Sequence, residues 1–250
     1  MGIGNWKIGT RLAGGLGLSL VFMVGMSVVG IGNLGKLNDG TGDLAADKVP
    51  KVIEAYEAVG GVNDIARAMR NAMLSTDPET VRKELKRVED KKVEIASRLD
   101  KLSKLIADDT DAGSKARLKA VLEARERYEV VQTAFVARSA DAARRDENVA
   151  YLLTTVRKEQ TAYLNSLTDL VKYQTEAVAT ASTEAKAAYV NARNMMIALT
   201  VIAAALAAVV VYWITRSITH PLNRAVGVAE AVASAAATTV SAIIILRAFT

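Results

Sequence analysis

Two arginines, on separate stretches of this chain, fall in register with apolar neighbours. Arg70 is in step with Val59, Ala66 and Met73, with Arg67 one position off that stripe; Arg138 is in step with Tyr128, Val131 and Phe135. A guanidinium turned towards an apolar interior is costly unless an acid meets it. Its planar fork matches a carboxylate bidentately. Thr154, Thr155, Tyr128 and Tyr151 could bring hydroxyls to the same end of the molecule. The set Arg67, Arg70, Tyr128, Arg138, Tyr151, Thr154 and Thr155 therefore reads as a candidate binding site for a small carboxylate. The competing readings are arginines that snorkel or pair with nearby glutamates, and tyrosines that pack in a core.

Other chemistry has little to stand on. His220 is the sole histidine and there is no cysteine. No HExxH, nucleophile elbow or metal-ligand cluster occurs, so no catalysis, metal or cofactor is expected. Carboxylate pairs such as Asp108/Asp109 and Glu89/Asp90 read as solvated faces. The formal charge is +5, of which residues 1–33 and 195–250 carry +4, leaving +1 for the region between. That balance does not suggest nucleic acid.

The candidate residues are enclosed by two uncharged apolar segments, Leu12 to Gly32 and Met195 to Thr215. Each is about 21 residues long, enough for a helix to cross a hydrocarbon core of roughly 30 Å. Lys7 and Arg11 precede the first; Arg216, His220 and Arg224 follow the second. Basic flanks belong in the cytoplasm, which puts the middle outside. The expected layout is a cytoplasmic N-terminus (1–11), a first transmembrane helix (12–33), an external domain (34–194), a second transmembrane helix (195–215) and a cytoplasmic segment (216–250). Glycines in the first span give it a small face for close helix contact.

The external domain reads as four helices, roughly 35–74, 79–107, 114–145 and 149–194. Thr76 with Glu79, or Asp77 with Pro78, marks one start. Asp108 to Ser114 marks a second break, and a weaker third falls near Arg145 to Asn148. The clearest apolar stripe is Val81, Leu85, Val88, Ile95, Leu99, Leu102 and Ile106. Val52, Tyr56, Val59, Ala66 and Met73 serve the first helix. Leu118, Val121, Tyr128, Val131 and Phe135 serve the third, and Leu153, Val156, Tyr163, Leu167 and Leu170 the fourth. Short turns make neighbours antiparallel. The fold class is all-α: an antiparallel up-down four-helix bundle between two transmembrane helices.

After the second span comes Arg216-Ser217-Ile218-Thr219-His220-Pro221-Leu222, which looks like the start of a HAMP linker. With the two spans and four helices, residues 5–234 resemble the N-terminal part of a bacterial methyl-accepting chemotaxis protein. The resemblance implies a homodimer in the inner membrane, with the sensor in the periplasm and Arg216, Ile218, Pro221 and Leu222 relaying the signal. It implies an amino acid or small organic acid as ligand, at the dimer interface or within one bundle near the distal end. Arg67 and Arg70 resemble the arginines, and Thr154 or Thr155 the threonine, that hold carboxylates in aspartate-type receptors, though the arginine spacing differs. Bundles that bind dicarboxylates within one subunit would recruit Arg138 and Tyr128. Intact homologues would engage a coupling protein and a histidine kinase. Here Ala233-Ser234 is followed by AAATTVSAIIILRAFT in place of a second linker helix and methylation region, as a truncated gene or shifted frame would produce. The input half of a sensor histidine kinase or cyclase, or a non-sensing membrane-anchored bundle, remains open beside the chemoreceptor reading.

Overall fold

The computed structural model describes residues 8–107 and 109–247, with side chains except at Ile8, Arg11, Ala142, 218–222 and 237–247. Its contacts divide into two units: Met1–Lys36 with Ala188–Thr250, and Leu37–Ala187. Every regular element among the described residues is helical.

In the first unit the apolar part of α1 (Ile8–Asp43) meets the C-terminal part of α6 (Arg157–Ile214). They belong to the two helices, Leu12–Leu74 and Arg145–Ser217, that are long and apolar enough to cross a membrane. Gly15 and Gly30 allow the approach. A Cβ on Gly15 would lie 2.9 Å from Val210 Cγ1, and one on Gly30 3.4 Å from Met196 Cε. Ser19, Ser27 and Thr200 donate their hydroxyls to carbonyls four residues back, so these polar groups are satisfied within their own helices. A π-helical turn (Thr215–Thr219) then leads into α7 (His220–Arg247).

The second unit is the bundle. α1 runs on through a π-helical turn (Leu44–Lys48) into α2 (Val49–Leu74). Pro50 sits just after that turn; lacking an N–H, it cannot complete the α-helical ladder, and the wider turn absorbs the gap. The same pairing recurs where the turn at Thr215–Thr219 precedes Pro221. α3 (Pro78–Ala107) begins on an Asp77 cap: Asp77 accepts from the Glu79 and Thr80 amides at 3.3 and 2.9 Å, and from the Thr80 hydroxyl at 2.6 Å. Of the two caps the sequence allows, Asp77 is the one used. α4 (Ala112–Arg138) begins on Asp111, which accepts from the Gly113 and Ser114 amides at 2.9 and 3.2 Å. The next break falls earlier than the sequence suggests, at Ser139–Asp141. A short 3₁₀ turn (Ala142–Arg144) follows, then α5 (Arg145–Tyr151), a π-helical turn (Leu152–Val156) and α6.

The stripe predicted for α3 is the one that packs, with Val88, Ile95, Leu99, Leu102 and Ile106 buried. That of α2 is rotated. Ala66 and Met73 are buried as expected, but the rest of the packed face is Ala55, Ala58, Gly61, Val62, Ile65, Ala68, Met69 and Ala72, while Tyr56 is 66% exposed. Small side chains let α2 approach α3 closely: a Cβ on Gly61 would stand 2.6 Å from Ile95 Cγ1. A reading weighted by side-chain size favours the larger residues and misses an alanine seam. On the fourth helical segment of the bundle Leu152 is buried and Leu153 exposed, the reverse of expectation. The π turn there keeps the residue four before Val156 on the core side and swings the residue three before it outward. Tyr128 and Tyr163 fill the middle, ring centroids 5.8 Å apart.

Candidate functional site

The end of the bundle that carries the α2–α3 and α4–α5 turns, its distal end, differs electrostatically from the rest. Lower down, arginines are matched to acids: Arg98 with Glu54 at 3.2 Å, Arg117 with Asp169 at 3.0 Å and Arg125 with Glu129 at 2.7 Å. Towards the distal end Arg70, Arg82, Arg138, Arg145 and Arg157 have no ion pair among the described residues. Each lies in the last turns of an ascending helix or the first turns of a descending one.

These five arginines line two cavities. One, of about 390 Å³, lies between the distal turns and takes in Arg82, Arg138 and Arg145 with Met73, Asp141 and Asn148. Arg138 is stacked over the Tyr151 ring, 4.1 Å from its centroid. Such a cation–π contact positions a guanidinium while leaving its N–H edge available. Arg145 donates to the Met73 carbonyl at 2.6 Å, capping the end of α2. The other cavity, of about 320 Å³, takes in Arg70, Arg157, Gln160 and Thr161 with Leu152 and Leu153. Arg70 Nε donates to the Ala66 carbonyl at 3.1 Å.

The seven residues singled out in sequence are thus divided. Arg70 belongs to one distal cavity, and Arg138, over Tyr151, to the other. Arg70 is exposed, not turned into the core as its spacing suggests, because the α2 stripe is rotated. Arg67 is exposed and ion-paired with Asp64. Thr154 and Thr155 are exposed, and the Thr154 hydroxyl donates to its own helix at the Ala150 carbonyl, 2.7 Å. Tyr128 is buried in mid-bundle and lines neither distal cavity; burial pushes its phenol pKa up, as it does for Tyr163. Of the relay residues, Arg216 donates to the Tyr212 hydroxyl at 3.2 Å. The side chains of Ile218, Pro221 and Leu222 lie outside the described residues.

Arg82, Arg145, Arg157 and Asn148 were not anticipated. Asn148 had a signal: it stands four residues before Leu152 and eight before Val156, in step with the buried stripe. The arginines had none, since what distinguishes them is the lack of an ion pair among the described residues, which only the packing reveals.

The other end of the bundle is cross-braced. Lys51 is 3% exposed, with its ammonium 2.7 Å from Asp47 and 3.0 Å from Asp109. Burial works against its charge, but the two carboxylates outweigh it and raise its pKa. Asp111, besides capping α4, accepts from the Tyr173 hydroxyl at 2.8 Å, and Gln174 donates to Ser114 Oγ at 2.7 Å. A Cβ at Gly113 would displace the Tyr173 hydroxyl from Asp111, so a glycine suits this contact.

Among the described residues there is no cluster of His, Asp or Glu that could hold a metal ion, and two helices are long and apolar enough to cross a membrane. The chain belongs to the four-helix-bundle sensory modules for signal transduction, a family that matches residues 5–189. It is a chemotaxis-type sensory module of a membrane-associated protein. Neither a curated protein nor a solved structure matches it.

Proposed function

We propose that this chain is the sensing half of a transmembrane chemoreceptor of the bacterial inner membrane. Its bundle lies in the periplasm and responds to a small anionic molecule, a carboxylate, at the distal end. The observation that carries the reading is the group of unpaired arginines there, with Arg70 and Arg138 foremost. A cluster of like charges repels itself and is stabilised by an anion brought from outside. Tyr151 supports Arg138, and Arg67, Thr154 and Thr155 are weaker candidates for contact with the ligand. α6 descends from this end into the second apolar segment as one helix, Arg157–Ile214, so a displacement at its top is passed on without an intervening loop. Beyond it Arg216, Ile218, Pro221 and Leu222 begin a HAMP-type linker to an output that, in intact homologues, engages a coupling protein and a histidine kinase. Assembly is as a parallel homodimer through the first helices.

Two measurements test this. A periplasm-active reporter fused after Gly113 is active and one fused after Arg224 is silent; activity after Arg224 would overturn the orientation. Calorimetric screening of the whole chain against amino acids, dicarboxylates and aromatic acids identifies an anion. Truncating a charge-assisted contact costs about 2–5 kcal/mol, so Arg70→Ala or Arg138→Ala weakens binding at least about 30-fold. Binding confined to neutral or cationic compounds refutes the reading.

A further inference from the structure

The segment that leads into α6 carries its core stripe twice, one residue apart. Asn148, Leu152 and Val156 are buried, at steps of four. Val149, Leu153 and Val156 would be the stripe of an uninterrupted α-helix, at steps of four and three. The two registers share Val156 and differ above it. The π turn Leu152–Val156 selects the first, because it holds one residue more than an α-helical turn and puts Leu152 where Leu153 would stand. That register leaves Leu153 54% exposed and Val149 only partly buried. Asn148 donates to the Phe135 carbonyl at 3.2 Å and to Ser139 Oγ at 2.8 Å, but its Oδ1 is buried with no hydrogen-bond partner. Buried polar atoms without a partner are rare in native proteins and costly.

We propose that this segment is a two-state register switch: α5 slides by one residue, exchanging the π turn for an α-helical one and Leu152 for Leu153. Each slot above Val156 then passes to the next residue along the chain. Val149 takes the place of Asn148, and Asp146 that of Arg145. A valine needs no partner, so the orphaned amide oxygen leaves the core. In exchange, the bonds of Asn148 to the end of α4 and of Arg145 to the Met73 carbonyl are given up. One leucine is buried in either register, which keeps the two close in free energy. The displacement is a single residue, about 1.5 Å of rise and about 100° of rotation. The turn at residues 139–144 takes up the residue that the π turn releases. α5 is seven residues long against 58 for α6, so α5 is the part that moves. The consequence is electrostatic. Arg145 lines the larger distal cavity, and a carboxylate replaces it there, so the switch reverses the charge on one wall. The inference goes beyond the proposed function and holds whether or not that cavity takes an anion.

The chain has no cysteine, so introduced disulfides report the register directly. In the full chain in nanodiscs, Ser139→Cys with Asn148→Cys reads the π register, and Ser139→Cys with Val149→Cys the α-helical one. We expect both pairs to form under mild oxidation. Leu152→Ala shifts their ratio towards the Val149 pair and Leu153→Ala towards the Asn148 pair, each by about tenfold or more, since losing a buried leucine penalises one register alone. Melting temperatures give a second measure that needs no cysteine. Leu153→Ala is nearly silent in the wild type. In the Leu152→Ala background, where Leu153 holds the slot, it lowers the melting temperature by about 4 °C or more. Should a cysteine at 148 or 149 disturb folding, the melting temperatures decide alone. A Val149 pair that fails to form in Leu152→Ala, or Leu153→Ala silent in both backgrounds, shows a single register and overturns the proposal. Equal yields of the two pairs in every background show a frayed end and overturn it too.

Discussion

The ammonium of Lys51 lies 3.0 Å from the carboxylate of Asp109, a residue 58 positions further along the chain. The pair ties the first turn of α2 to the loop between α3 and α4. From that loop Asp111 reaches Tyr173 on α6, so one short segment holds both long helices of the bundle. Lys51→Met keeps the apolar stem and removes the charge, leaving two carboxylates without their counter-ion. Asp47 and Asp109 are 34% and 23% exposed and regain some hydration. The loss should therefore be about 2 kcal/mol, below the roughly 3–5 kcal/mol of a fully buried pair. Denaturant titration of the wild type and variant in the same detergent measures it. A change within about 0.3 kcal/mol would show that the brace contributes nothing.

The same groups set the pH range of the bundle. Hydrogen bonds from Thr80 hold Asp77 below its ordinary pKa. Ser114 and Tyr173 do so for Asp111, and Lys51 for Asp109 against the effect of burial. Depressed carboxylates stabilise the folded state above the unfolded pKa, near 3.8. That stability fades as pH falls through the lower folded values. Lys51, raised above 10.5, acts in the opposite range, as do Tyr128 and Tyr163, raised by burial above 10.0. Their contribution is complete below pH 10 and is lost above it, because the unfolded chain gives up these protons first. Melting temperatures should hold level from about pH 5 to 9 and fall on both sides. Asp111→Asn should flatten the acid limb; an unaltered limb would remove Asp111 from the account.

Neighbouring glycines on α2 should respond in opposite senses. At Gly61 a Cβ meets Ile95 at 2.6 Å, whereas at Gly60 it meets nothing within 4 Å. Gly60→Ala gains helix propensity, about 1 kcal/mol. Gly61→Ala gains the same but forces the α2–α3 contact apart, and overpacking of about 1–3 kcal/mol outweighs it. Adding Ile95→Ala to Gly61→Ala should cost less than the two single changes summed. Strict additivity would mean that the close approach is not the cause.

The rotated stripe of α2 leaves Val49, Ile53, Tyr56, Gly60 and Asn63 exposed at alternating steps of four and three, and Arg67, Arg70 and Leu74 continue the pattern. That is the spacing of a two-helix seam. Cysteines at Ile53 or Tyr56 in the membrane-embedded chain should crosslink to their symmetry mates. Those at Ala55 or Ala58, which are fully buried, should not. Crosslinks at neither Ile53 nor Tyr56, with efficient ones on another helix, would move the dimer interface.

What could be read from the residues alone was the fold class, the two membrane-length segments, the helix starts at Asp77 and near Asp111, and the α3 stripe. These depend on local chemistry: capping side chains, proline's missing N–H, and a repeat of large apolar residues against charged ones. Arg70 and Arg138 were legible as positions, because spacing along a helix is a one-dimensional property. The rotation of α2 was not, since an alanine seam becomes a core only when a second helix comes close enough to cover it. Nor were the π turns that precede α2 and α6, the second of which exchanges Leu152 for Leu153. Which arginines lack an ion pair, and that Asn148 holds a buried oxygen with no donor, were decided by tertiary structure alone. Both are statements about what is missing from a neighbourhood, and a neighbourhood exists only once four helices have brought distant residues within a few ångströms of one another.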